Sequence, residues 1–181
     1  MKRFLNNFKS MSIVVAMLVA GTCSACLGEE KQSSQIGRCD ADETVYFSCV
    51  AKSGKTLSLC GLERDDDTVE LSYRFGSIAG PEFTYPSDGQ VRKDDFFYNH
   101  YVRPRADYFE VGFVSEGFEY RVFQHYDADL SPDIRSGVSV EELSLDSAPT
   151  VVACITHPQG EISQLSEFLP CNRESALGCA N

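Results

Sequence analysis

Three histidines, His100, His125 and His157, are the side chains in this sequence best suited to acid–base work near neutral pH. None stands in a metal-type pair such as H-x-x-x-H, and the chain has no G-x-S-x-G elbow and no glycine-rich phosphate loop. They read as exposed or strand-edge groups, and the chain as a non-enzyme. A second pattern is DADLSPD, in which Asp127, Asp129, Ser131 and Asp133 fall at every second position. Hard oxygens in that rhythm open a calcium loop, so calcium is the one candidate cofactor. The position that takes Gly in such a loop is Pro132, and the twelfth, which takes a bidentate Glu, is Val138. The plainer reading is an acidic turn between two strands. DDD at 65–67 reads as a solvated turn in the same way.

The eight cysteines carry the remaining chemistry. Cys23 and Cys26 form a C-x-x-C, but it follows a stretch ordered like an export signal. Lys2, Arg3 and Lys9 lead into the apolar run MSIVVAMLVAG at 11–21, and small residues come after it. The run is shorter than the roughly 20 residues of a spanning helix. Cleavage after Ala25 would part the two cysteines, so redox or metal chemistry is not expected of the pair. Cys39, Cys49, Cys60, Cys154, Cys171 and Cys179 remain, an even number. Exported chains meet oxidising conditions, and these six are expected as three disulfides. The local pairs are Cys49–Cys60 across a hairpin and Cys171–Cys179 in the tail, which leaves Cys39–Cys154 by elimination.

Around the cleavage site the sequence also resembles a bacterial lipoprotein signal. Ser24, Ala25 and Cys26 fit that pattern, whereas Cys23 stands where such signals carry Leu. The resemblance implies an acylated Cys26 and attachment to a membrane through its lipid. Leu27 next to it implies sorting to the outer membrane. Without the lipid, Cys26 becomes a free thiol on a periplasmic or secreted protein. Three parts are expected: a signal peptide over 1–25, a polar tether over 26–38, and one β-rich domain over 39–181.

Charge narrows the partners. The chain holds 27 Asp plus Glu against 16 Lys plus Arg, a net charge of −11. Loss of the signal, which carries Lys2, Arg3 and Lys9 and no acid, makes it more acidic still. Nucleic acid is excluded, because its binding needs a basic footprint. A protein partner of basic charge is favoured, although the same charge also serves solubility.

The elements that must position any site read as strands. TVYFSCVA (44–51), the turn SG (53–54) and KTLSLC (55–60) predict a hairpin with a two-residue loop, in which Cys49 faces Ser58 and Cys60 lies diagonal to Cys49. VELSYRF (69–75) alternates, with Val69, Leu71, Tyr73 and Phe75 on one face. EFTYP (82–86) reads as an edge strand. FFYNHYV (96–102), YFEVGFV (108–114), FEYRVFQHY (118–126), VSVEELSL (138–145) and TVVACIT (150–156) follow, separated by Gly, Pro and Asp-rich turns. The fold class is all-β and antiparallel: a single sandwich, barrel or small propeller-like domain stapled by disulfides. EISQLSEFL (161–169) reads as one or two helical turns stopped by Pro170, and the tail CNRESALGC (171–179) as a disulfide-pinned loop or a short helical turn.

SEGFEY (115–120) lies in the tight turn between two of these strands, where a hairpin presents side chains rigidly. It resembles the S-G-x-x-Y loop of the bacterial lysozyme inhibitors, small exported β proteins that are often lipidated. Gly117, Phe118, Glu119 and Tyr120 keep the G-x-x-Y part, and Ser115 is displaced by the inserted Glu116. The resemblance implies an inhibitory loop of Ser115, Gly117, Phe118 and Tyr120 that enters the cleft of a wall-degrading enzyme. The target would be a lysozyme, or a rival's toxin, in which case the chain is an immunity protein. Read from the strand alone, Tyr120 is a core aromatic. ETVYFSCVAKSGKTLSLCG, YRFG, PEFTYP and LPCNRESALGC also resemble a group of exported bacterial proteins of unknown role. That likeness implies export, β structure and cystines, and no activity. The alternative is a calcium-binding or structural module of the envelope.

Overall fold

The computed structural model describes residues 37–64, 68–89, 95–144 and 148–180. The signal peptide, Cys26 and most of the tether lie outside these residues, as does DDD at 65–67. Nine strands are described: β1 (Thr44–Val50), β2 (Thr56–Glu63), β3 (Val69–Ser77), β4 (Gly80–Tyr85), β5 (Phe96–Arg103), β6 (Ala106–Ser115), β7 (Phe118–Asp127), β8 (Ser131–Glu142) and β9 (Thr150–Ala153). They form two antiparallel meanders, β1-β2-β3-β4 and β5-β6-β7-β8-β9. The architecture is an open sandwich and not a closed barrel. The expected helix is a single 3-10 segment, Ile162–Glu167, whose Ile162 and Leu165 are buried.

Period-two patterning decides which face each residue takes. In the first sheet Leu57 pairs with Phe75 and Leu59 with Tyr73, and these side chains point inward. In the second, Phe96 faces Phe113, which faces Tyr120, and Val111 lies between Tyr98 and Val122. The two inner faces meet through aromatic rings. Phe113 lies 4.4 Å from Tyr85, 4.9 Å from Tyr120 and 5.2 Å from Tyr73. Each fully buried large side chain contributes about 1.5–3 kcal/mol, and pairs in such geometry add to it.

The β1–β2 hairpin corrects the expected disulfides. Its loop holds three residues, Lys52-Ser53-Gly54, not two: the Ala51 amide donates to the Lys55 carbonyl at 2.8 Å, and Gly54 takes φ 78°. This is the three-residue hairpin with a left-handed glycine. One extra residue shifts the register, so Cys49 faces Leu57 and Ser48 faces Ser58. Cys49 therefore points into the core, and Cys60, opposite Ser72, points outward. A Cys49–Cys60 bond is impossible across the sheet, since a one-residue slip sends a side chain to the other face. The bonds are Cys39–Cys60, Cys49–Cys154 and Cys171–Cys179. Cys39 also replaces its expected partner Cys154, because the segment Gly37–Glu43 lies over the outer face of the first sheet. There the Arg38 amide donates to Ser58 Oγ at 3.1 Å, and the Arg74 guanidinium grips Glu43 with two bonds, at 2.5 and 2.7 Å.

Two sheet edges are covered by chain. Residues 154–159 run along β1, with the Ile155 amide donating to Val50 and the Gln159 and Ser48 backbones exchanging bonds at 2.8 and 2.9 Å. The tail runs along β5, where Tyr98 and His100 donate to Pro170 and Gly178, at 3.0 and 3.1 Å. Covering an edge hides a row of backbone groups that would otherwise pair with other chains.

Candidate functional site

The β6–β7 turn is made by two residues, Glu116 (φ 51°) and Gly117 (φ 83°), both left-handed. Such a turn matches the twist of the flanking strands and fixes the register, here Ser115 opposite Phe118. The end of β8 lies beside it: Phe118 faces Glu142, Glu119 faces Glu141, and the Leu143 amide donates to the Gly117 carbonyl at 3.0 Å. The tip thus holds four carboxylates: Glu142 shares a face of the sheet with Phe118, which is 37 % exposed, Glu119 and Glu141 lie on the opposite face, and Glu116 sits in the turn. Like charges placed directly opposite, as Glu119 and Glu141 are, repel. Arg121 offsets part of this by donating to Glu119 at 2.8 Å. One guanidinium against four carboxylates leaves the tip strongly negative.

The expected loop residues part company here. Ser115, Gly117 and Phe118 are at the tip, but Tyr120 is not. Its ring is stacked against those of Phe113, at 4.9 Å, and Phe83, at 5.1 Å, on the inner face of the sandwich. Burial, and next the charge of Glu116, push its phenol pKa upward. The alternation of β7 carries Tyr120 inward with Val122, while the turn itself is carried by Glu116 and Gly117. The carboxylates of β8 at the tip were missed in the sequence, because pairing between β7 and β8 brings them there and no local motif announces it.

The acidic ladder occupies the turn between β7 and β8. Asp127 accepts from Arg103 at 2.9 Å, from the Tyr108 hydroxyl, and from the Asp129 amide at 3.0 Å. Asp129 pairs with Arg103 at 3.2 Å and Arg105 at 2.9 Å. Ser131 accepts from the Asp133 amide at 3.1 Å. Two guanidiniums thus supply the positive charge that a cation would bring to this turn. Among the described residues, the ligand atoms of Cys39, Glu43 and Cys60 alone gather closely enough for a metal, and both sulfurs are spent in a disulfide.

The histidines are dispersed. His100 bonds the Ala180 carbonyl and Asp107, both at 2.9 Å. His125 meets the buried carboxylate of Glu110 at 2.9 Å on the outer face of the second sheet. His157 lines a surface groove of about 760 Å³ together with Asp133 and Arg135.

No family model, curated protein or solved structure matches this chain.

Proposed function

We propose that the protein is a non-enzymatic, exported binding protein whose β6–β7 tip engages a basic cell-wall-degrading enzyme, of the lysozyme kind or a rival's toxin, and blocks it. The observation that carries this reading is the exposed Phe118 ring on a two-residue turn whose tip bears four carboxylates, Glu142 on the same face as the ring and Glu119 and Glu141 on the opposite one. An aromatic anchor with a charged rim is how a compact surface gains both affinity and choice of partner. The insertion that displaces Ser115 from the inhibitor motif brings Glu116 into the turn, so the loop works through charge and Phe118 and not through Tyr120. Three disulfides agree with an oxidising compartment. Among the described residues no helix is long and apolar enough to cross a membrane. Attachment through a lipid on Cys26, at the outer membrane, rests on the signal resemblance alone.

The test is inhibition of purified wall-degrading enzymes at low and high salt. The parent protein should inhibit a basic enzyme at low salt and lose potency steeply as salt rises. Phe118→Ala and the double reversal Glu116→Lys with Glu142→Lys should each weaken it at least about tenfold, the scale of a central interface residue. Failure to inhibit any such enzyme, or equal potency in all three proteins, removes the proposal.

A further inference from the structure

At the end away from the tip, β8 leaves a stretch of sheet edge open. β9 pairs with β8 only over Gly137–Val140. The last bond on that side runs from the Cys154 amide to the Ser136 carbonyl, at 2.9 Å, and the chain then leaves the sheet, with Ile155 donating to Val50. Among the described residues no strand pairs with Ser131–Arg135 on the side away from β7. Alternation turns the Ile134 amide and carbonyl to the same side as the Ser136 carbonyl, toward the open edge. Such an edge is a template for another strand. Exposed apolar groups gather at it. Ile134, Val151 and Ile155 are 38, 54 and 66 % exposed, and all three line the groove of about 760 Å³.

Charge names the occupant. Asp133 and Arg135 flank Ile134, share a face of the strand and are exposed. Among the described residues neither side chain has an ion-pair partner. A second copy of this chain, laid antiparallel about a twofold axis through Ile134, sets Asp133 opposite Arg135 in both directions. Ile134 meets its own copy there, and the two residues exchange both backbone bonds. Opposite charges facing across strands stabilise a pair, and like charges destabilise it. The net charge of −11 opposes association, so the local match must supply the specificity. Pro132 has no amide to offer, and β8 is irregular against β7 between His125 and Asp127, so the pairing stays short. An isologous contact of this kind closes on itself and makes a dimer, not a fibre.

We propose that β8 pairs with β8 of a second copy over Asp133, Ile134 and Arg135, joining two sandwiches into a closed dimer. The contact is independent of the tip, because Glu141 and Glu142 lie at the other end of β8.

The test is sedimentation equilibrium of the whole mature chain over a range of concentrations, with Cys26→Ser to exclude cross-linking through a free thiol. The parent should show a reversible monomer–dimer equilibrium and no larger species. Asp133→Arg and Arg135→Asp each set like charges against each other at both contacts, and each should weaken the dimer at least about tenfold. Mixed in equal amounts, the two variants should associate about as tightly as the parent, because every Arg then faces an Asp. Misfolding cannot produce that rescue. Ile134→Glu should dissociate the dimer as well, by placing two carboxylates on the axis. A parent that stays monomeric to the limit of its solubility, single variants that dimerise like the parent, or a mixture that gains nothing would each overturn the proposal.

Discussion

The side-chain amide of Asn99 sits within the loop closed by Cys171–Cys179 and donates to the carbonyls of Asn172, at 2.6 Å, and Gly178, at 3.1 Å, while Asn99 itself is 1 % exposed. The disulfide fixes the size of the loop, and Asn99 fixes where it sits on β5. Asn99→Leu leaves both carbonyls without that donor. Each carbonyl keeps a backbone donor, Ser175 for Asn172 and His100 for Gly178, so the cost is that of two lost hydrogen bonds, about 1–3 kcal/mol. Hydrogen exchange should quicken at the Tyr98 and His100 amides, which the tail covers, and stay slow in the middle of β6 and β7. Unchanged protection at Tyr98 and His100 would contradict this role for Asn99.

The three disulfides should differ in their worth. Loop closure by Cys49–Cys154 spans a separation of 105 residues, Cys39–Cys60 spans 21, and Cys171–Cys179 spans 8. A chain-entropy model gives about 4.8, 3.3 and 2.5 kcal/mol respectively. Paired alanine replacements followed by urea unfolding should reproduce that order. Peptide mapping without reduction should recover those three pairs and no Cys49–Cys60 peptide.

Tyr120 and Phe118 should separate folding from binding. Tyr120→Ala removes a ring stacked on Phe83 and Phe113, and a loss of about 3 kcal/mol is expected, the low end for a large aromatic because the site is half-buried. Phe118→Ala should change stability by no more than about 0.5 kcal/mol, as exposed substitutions do. Thermal or urea melts of the two variants decide the matter, and a large loss in Phe118→Ala would place that ring in the core.

Asp127 and Tyr108 make stability depend on pH at both extremes. The Tyr108 hydroxyl first, and then the Asp129 amide and Arg103, hold the Asp127 carboxyl below the usual carboxylate range. That contribution is complete above the ordinary aspartate pKa of about 3.9 and is lost as pH falls through the lower folded value. The same bond to Asp127 raises the Tyr108 phenol, whose contribution is complete below about 10 and is lost as pH rises through the folded value. Asp127→Asn should flatten both limbs of a plot of urea midpoint against pH. A variant with the parent's acid and alkaline slopes would show that neither group is the source.

Much of the sandwich could be read from alternation. Val69, Leu71, Tyr73 and Phe75 share one face of β3, and Phe109, Val111 and Phe113 share one face of β6, because half-buried strands must repeat every second residue. What alternation cannot carry is parity across a turn. Lys52 belongs to the loop and not to the strand, and that one residue exchanged the partners of four cysteines. The tip was half legible for a similar reason. Glu116 and Gly117 mark the turn in sequence, but Glu141 and Glu142 reach it only through the register of β8 on β7.

The three-residue loop of the first hairpin also bears on how the chain reaches its bonds when it emerges N-terminus first. Of the six disulfide-forming cysteines, Cys39, Cys49 and Cys60 come out long before Cys154, so for most of synthesis these three compete for one bond. Once Lys52-Ser53-Gly54 closes the hairpin, Cys49 and Cys60 lie on opposite sides of the ribbon. Cys60 is left to Cys39, and Cys49 is held in reserve until the far end of the domain arrives. The turn thus acts as a sorting step, in which the count of residues in a loop selects among oxidation products.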